Sequence, residues 1–408
     1  MDWVKDVARY WKLLPLAARR YIVFHSISTP ILFVWILVPY LMLSTGISVE
    51  EAGFILSAAS LCAAVINVVV GRVLEAVEPV VFIALISFIE GFAYLVYMCG
   101  FLAGLAVVVL VAAIIERIAR GFYPVFAVYE YDVYPEEIRD KAFALHNIFP
   151  FLAQVASYPV IGWVLGVVLS DLRSRIISLA GFSIASIATG FLAFAWLPRL
   201  GRKRVEIERI GLKFIPREFA VMLLSVVMLG VSVELAQPLI VANLFMGIAR
   251  NPLLGLALYE TFAAVPITLL SPIVLRMDRR HGVKALALGM AMLAVADAIL
   301  GLSTGVYVAL LAAALSSAGY ALMDPFYMDT LFSTIPSDKR GVLLGGIASI
   351  RRLVSIAMPA AAGLLASASA RIPFFVAALF TLGSMATALR VATSREGVEG
   401  ESYPTKRV

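Results

Sequence analysis

Unbroken apolar stretches divide the chain into twelve runs, at 20–44, 50–71, 79–99, 101–132, 141–169, 174–197, 218–246, 252–275, 283–303, 305–333, 341–367 and 372–392. Each is long enough for a helix that crosses a bilayer, which takes about 20 apolar residues. None shows the two-residue alternation of a membrane barrel strand. The pattern predicts an all-α membrane protein with twelve transmembrane helices. The longest polar interruption, 198–217, follows the sixth run. The expected organisation is a six-helix bundle over 1–197, a cytoplasmic linker over 198–217, and a second six-helix bundle over 218–408 with a short disordered tail after Arg390. Near the start, Trp3, Val7, Tyr10, Trp11 and Leu14 recur at helical spacing among Lys5, Arg9 and Lys12. That predicts a short amphipathic helix on the inner leaflet, anchored by its tryptophans.

Composition agrees with lipid as the solvent. Hydrophobic residues make up 62% and charged residues 15%, where a soluble domain is about half apolar and a quarter charged. The net charge of +6 is not a nucleic-acid face, because the basic residues punctuate apolar runs. With the N-terminus inside, 25 of the Lys and Arg residues fall on the inner side and four, Arg173, Arg175, Arg250 and Arg371, on the outer. The positive-inside rule therefore places both termini in the cytoplasm of a multi-pass cell-membrane protein. No cleavable signal peptide is expected. Cys62 and Cys99 lie inside apolar runs and are expected to be buried thiols.

A shift of 201 residues superimposes Pro124 on Pro325, Pro135 on Pro336, Arg139 on Arg340 and Gly162 on Gly363. Matches in fixed register at the same place in each half indicate a duplication. Two halves of like topology imply a pseudo-twofold axis along the membrane normal and a binding site between them.

Ionisable residues within spans are costly in hydrocarbon and mark function. Glu234 falls in the middle of the seventh run, followed by Gln237 and Pro238, whose ring weakens the helix. Asp324 lies on the tenth run, with Asp329 further toward the cytoplasm. Arg351 and Arg352 enter the eleventh run, and Asp324 with Arg352 is a plausible pair. Glu116 and Arg120 are four residues apart, the spacing of an intrahelical pair, which leaves Arg117 on a different face. Glu90 and Asp297 occupy equivalent places in the two halves and are read as structural, Glu90 as a partner for Arg117. Glu260, Gln154, Asn147 and an interfacial His25 are weaker candidates. Seven acids against four arginines within spans favour protons or cationic substrates.

Several short stretches carry a resemblance to the major facilitator superfamily. The turn after the second run reads Gly71-Arg72-Val73-Leu74-Glu75, and its counterpart reads Leu275-Arg276-Met277-Asp278-Arg279-Arg280-His281-Gly282. Both are similar to the family's Gly-x-x-x-Asp-Arg-x-Gly-Arg-Arg turn. The first keeps the acid but lacks the later glycine and basic pair, and the second has one extra residue before its glycine. Arg117-Ile118-Ala119-Arg120-Gly121 resembles the arginine motif of the fourth span, which is linked to proton transfer in antiporter members. Tyr158-Pro159-Val160-Ile161-Gly162-Trp163 keeps the proline and one glycine of the antiporter motif in span five.

The resemblance implies alternating access between two six-helix bundles. Substrate and proton coupling would fall to Glu234, Asp324, Arg117, Gln237, Glu116, Arg120, Arg351 and Arg352. A cytoplasmic gate would be formed by Gly71, Glu75, Asp132, Arg139, Asp278, Arg279, Asp329 and Arg340. The expected function is proton-coupled efflux of amphipathic or cationic compounds by a monomer. The alternatives are uptake or exchange of a small organic anion at the arginines, or uncoupled facilitation. A receptor or enzyme on the same scaffold would need a fixed reactive constellation. No Walker loop, zinc spacing, nucleophile elbow or dinucleotide fingerprint is present, so neither enzyme activity nor a cofactor or metal is expected.

Overall fold

The computed structural model describes residues 2–74, 78–200, 216–274, 277, 281–335 and 340–402. Its helices are α1 (Asp2–Leu13), α2 (Leu16–Ser28), α3 (Val34–Ser44), α4 (Val49–Leu74), α5 (Pro79–Ala103), α6 (Ala106–Gly121), α7 (Pro124–Val133), α8 (Arg139–Trp163), α9 (Leu172–Trp196), α10 (Arg217–Leu235), α11 (Pro238–Ile248), α12 (Pro252–Val274), α13 (Gly282–Leu302), α14 (Val306–Ser333), α15 (Arg340–Ala368) and α16 (Ile372–Ser402). Among the described residues, ten helical segments are long and apolar enough to cross a membrane. Of the linker expected over 198–217, residues 201–215 lie outside the described residues.

Three of the apolar runs are broken, each beside a proline. Pro30 sits in a 3-10 turn, Thr29–Phe33, between α2 and α3. Pro124 opens α7 after two residues that separate it from the end of α6. Pro238 opens α11 after the interruption at Ala236 and Gln237. A proline supplies no amide donor and suits the first turn of a helix. The break at Pro238 agrees with the sequence expectation.

Apolar packing is distributed unevenly along the membrane normal. One core joins early and late parts of the chain, from Phe33, Leu37 and Tyr97 to Phe245, Leu256 and Phe374. At the end carrying the termini there are two separate cores. The first is built on Tyr21, Ile83, Tyr129 and Leu145, the second on Met222, Met290, Tyr327 and Leu343. Across the joined end α3 packs on α11, α4 on α15 and α8 on α12. A cleft between the two halves of the chain therefore opens toward the termini.

Small residues allow the crossings. A Cβ on Gly53 would meet the Pro359 carbonyl oxygen at 2.5 Å, one on Gly363 the Val49 oxygen at 2.7 Å, and one on Gly162 would collide with Ala257. The repeat-related pair Gly162 and Gly363 thus occupies equivalent crossings. The Ala360 amide also donates to Ser57 Oγ at 2.9 Å.

The apolar stripe of α1 packs in part on protein, with Trp11 against Phe149 of α8 at a centroid separation of 4.9 Å and Leu14, just past the helix, buried, while Leu13 is exposed; the side chain of Trp3 lies outside the described residues. Two expectations are corrected. The helix α16 continues to Ser402 where a disordered tail was expected, since an established helix adds one hydrogen bond per residue fixed. Cys62 and Cys99 are exposed: they face outward from apolar helices, a direction in which lipid accommodates a thiol.

Candidate functional site

Three adjoining pockets, which share lining residues and are counted as lobes of one site, lie in the cleft. The first, about 340 Å³, is bounded by Trp35 of α3, Glu116, Arg117 and Arg120 of α6, and Glu234 and Gln237 at the α10–α11 break. The second, about 290 Å³, joins Glu234 to Asp324 and Tyr320 of α14 and to Arg351 of α15, with Met323 and Met328 as apolar wall. The third, about 330 Å³, lies between Arg117 and Arg120 on one side and Arg351 and Arg352 on the other, with Ser60 and Ser355. Glu234 is common to the first two lobes, Arg117 and Arg120 to the first and third, and Arg351 to the second and third. All eight residues expected to handle substrate or protons line this cavity.

The sequence places them there by simple means. The α10–α11 break sets Glu234 in the last turn of one helix and Gln237 just before the next. Helical spacing puts Arg117 and Arg120 one turn apart on α6. The Arg120 guanidinium pairs with Glu116, as expected. Tyr97 donates to the other Glu116 oxygen at 2.9 Å. Trp35 faces Arg120, with Cζ 4.4 Å from the ring centroid, a cation–π contact that holds the guanidinium in place. The Gln237 side chain is 8% exposed, and its Nε2 has no hydrogen-bond partner.

Acids elsewhere in the spans are consumed by hydroxyl and amide donors. Glu90 accepts from Tyr123, so the expected Glu90–Arg117 pair is not formed. Asp297 faces Ser232 and Thr381, each at 3.4 Å. Gln154 donates to the Glu260 carbonyl at 3.1 Å and to its carboxylate at 3.4 Å. With Glu116 held by Arg120 and Tyr97, the cavity is left with Glu234 and with Asp324, which also has the Tyr320 hydroxyl as a hydrogen-bond partner, facing Arg117, Arg351 and Arg352. Arg351, not the expected Arg352, lines the lobe that holds Asp324, and Arg117 and Arg120 line the first lobe with Glu234. The acid surplus counted along the spans does not carry over into the cavity, because short-range donors absorb most of it.

The gate residues are placed only in part. Glu75, Asp278 and Arg279 lie outside the described residues, as does the side chain of Arg340, while Gly71 falls in α4. Asp132 and Asp329 are exposed near the open end. Arg139 opens α8 and stacks on Tyr131, with Cζ 4.3 Å from the ring centroid.

Two arrangements escaped the sequence reading. His25, expected at an interface, lies 4.7 Å from His146, centroid to centroid. Beside them Tyr21 donates to Glu130 at 2.9 Å, and Tyr134 contacts His146 Nδ1 at 2.7 Å. The members come from α2, α7 and α8, and nothing local in the sequence links them. At the joined end Arg175, read only as an outer-loop charge, donates to the carbonyls of Leu165 and Leu169, both at 2.8 Å. It holds the π-helical turn Val164–Val168 that ends α8. Among the described residues no group of three or more metal-ligating side chains is assembled.

The sequence profile of the Major Facilitator Superfamily matches residues 22–260, more than half of the chain, and the protein belongs to that family. The chain is similar in fold to a bacterial homologue of the iron transporter ferroportin in an inward-facing state. That likeness has 14% identity and a TM-score of 0.73, covering 92% of this chain and 98% of the other. It is also similar to the nucleoside transporter NupG, with 10% identity and a TM-score of 0.68 over 93% and 99% of the two chains. The human organic anion transporter TETRAN is 16% identical with a TM-score of 0.61, over 92% and 100%. At these identities the likeness is one of fold. No curated protein matches the sequence.

Proposed function

We propose that this transporter is proton-coupled and carries a small charged organic molecule by alternating access, with the three-lobed cavity as its binding site. The observation that carries this reading is the sharing of Glu234, Arg117 and Arg351 among the lobes. One water-accessible space in the cleft thus holds both signs of charge, contributed by both halves of the chain. Each lobe is near the lower end of the volume of small-molecule pockets.

In this reading α4 and the broken α6–α7 segment complete twelve spans. Residues 1–197 and 218–408 are the two bundles, and the linker lies in the cytoplasm. The cleft then faces the cytoplasm, and the Gly53–Gly363 and Gly162–Ala257 crossings are the closed outer side. Glu234 and Asp324 take up and release protons. Efflux of cationic compounds is supported by the second lobe, where both carboxylates stand beside methionine and tyrosine side chains. Transport of an organic anion is supported by the third, where four arginines meet.

The test needs no substrate. In a background lacking Cys62 and Cys99, Val38→Cys places a thiol under the closed crossings. Labelling by an impermeant maleimide from the outer side reports opening of that end. Wild-type labelling is expected to change with pH, and Glu234→Gln to abolish the change. A labelling rate indifferent to pH in both proteins would reduce the function to uncoupled facilitation.

A further inference from the structure

Resting on that reading, we infer that the substrate is a small amphipathic organic anion and that it moves in the same direction as protons. Its charged head sits between Arg117 and Arg120 of α6 and Arg351 and Arg352 of α15. The third lobe is bounded by these four guanidinium groups and the hydroxyl-bearing Ser60 and Ser355, and among the described residues no carboxylate lines it. Arg120 is partly neutralised by Glu116. Among the described residues, Arg117, Arg351 and Arg352 form no ion pair. Like charges converging from two helices repel unless an anion lies between them, and guanidinium forks match carboxylate, sulfonate and phosphate oxygens two at a time.

The adjoining lobe supplies the rest of the recognition. Val226, Leu229, Met323, Met328 and Val354 wall it, and it meets the arginine lobe at Arg351. An apolar tail fits there, where flexible methionines accommodate varied shapes. Glu234 and Asp324 stand in the same lobe. Ionised, they repel the anion and compete for Arg117 and Arg351; protonated, they release both arginines and present an uncharged wall to the tail. Proton binding and anion binding therefore promote each other, and by linkage the promotion is reciprocal. Ligands that favour one another's binding are carried together, so the coupling is symport. A cation would compete with the protons at the same carboxylates and would give exchange.

The experiment is thermal unfolding of the purified full chain in detergent with three probes: benzenesulfonate, whose charge does not titrate, glycerol 3-phosphate, and the cation tetraphenylphosphonium. Each is measured at roughly pH 5.5 and roughly pH 7.5, a range in which buried carboxylates commonly titrate. A ligand of the native state raises the midpoint by mass action. The expected result is stabilisation by at least one anion, stronger at the lower pH. Arg351→Gln or Arg352→Gln should weaken the apparent affinity by about tenfold or more, the scale of one lost charge-assisted hydrogen bond. Arg352→Lys keeps the charge and should fall between, which separates loss of recognition from loss of fold.

Stabilisation by tetraphenylphosphonium that fades at low pH and vanishes in Glu234→Gln would overturn the inference. So would the absence of stabilisation by either anion, or an anion effect untouched by the arginine substitutions. If the anions fail while Val38→Cys labelling still follows pH, the transport reading stands and the substrate class falls. If they bind while labelling stays fixed, the reverse holds.

Discussion

Asn251 reaches across the seam between α12 and the end of α8 and donates from Nδ2 to the Gly166 carbonyl at 2.7 Å. The same side chain accepts from the Leu254 amide at 3.2 Å, so one residue both caps α12 and ties the halves of the chain together. Arg175 grips the same turn from the other side. Asn251→Ala removes the tie and leaves the Gly166 carbonyl only the longer bond from Arg175 Nη2, at 3.2 Å, a cost of about 1 kcal/mol. The expected outcome is an about fivefold rise in the population open at this end, read as faster labelling of Val38→Cys from the outer side.

Gly162→Val addresses the crossing itself. Any Cβ there collides with Ala257, and overpacking of this kind costs about 1–3 kcal/mol. The strain is relieved when the seam parts, so the variant should remain folded but favour the opposite state. Gly181, with open space around its Cβ position, provides the control: Gly181→Val should leave labelling unchanged.

The Glu116–Arg120 pair is 5% exposed on its acid side. Glu116→Ala strands the Arg120 guanidinium and leaves Tyr97 without its acceptor, and breaking a buried pair from one side costs about 3–5 kcal/mol. The midpoint of thermal unfolding should fall markedly. Glu116→Gln combined with Arg120→Met should recover a substantial part of the loss, because no charge is then left unpaired.

Asp171 caps α9, accepting from the Ser174 amide at 2.8 Å. The Ser174 hydroxyl, together with that amide bond, holds its carboxyl below the usual aspartate range. A folded-state value below the unfolded one means that the cap's stabilisation is present above the unfolded value, about 3.9, and is lost as pH falls through the folded one. The difference in thermal midpoint between wild type and Asp171→Ala should therefore be constant near neutrality and shrink in acid. A difference that widened in acid would contradict the cap.

Much of the fold was legible because lipid imposes a strict pattern. Long apolar runs, the proline at 238 and the register linking Gly162 with Gly363 all carry local signatures, whereas the breaks at Pro30 and Pro124 were not read from the sequence. The cavity was legible for a related reason: charges such as Glu234 and Arg117 are too costly in hydrocarbon to be incidental. What the sequence could not assign was which charges are spent. Glu90 is satisfied by Tyr123, thirty-three positions away, and Asp297 by hydroxyls on α10 and α16. A carboxylate bonded to a distant hydroxyl looks the same in sequence as one facing a ligand. His25 was misjudged for the same reason, since its neighbour His146 comes from another helix.

The seam crossed by Gly53, Gly162, Ala257 and Gly363 has a kinetic consequence. Apolar contact is lost in proportion to the area uncovered, about 25 cal/mol for each Å². Helices that meet through hydrogen atoms and methyl groups uncover little side-chain surface at those points when they separate. Close backbone approach here gives a tight seal against leakage without a deep energy well. Bulkier leucines or phenylalanines at the four positions would add apolar contact and glue this end shut; small residues leave a shallower barrier to its separation.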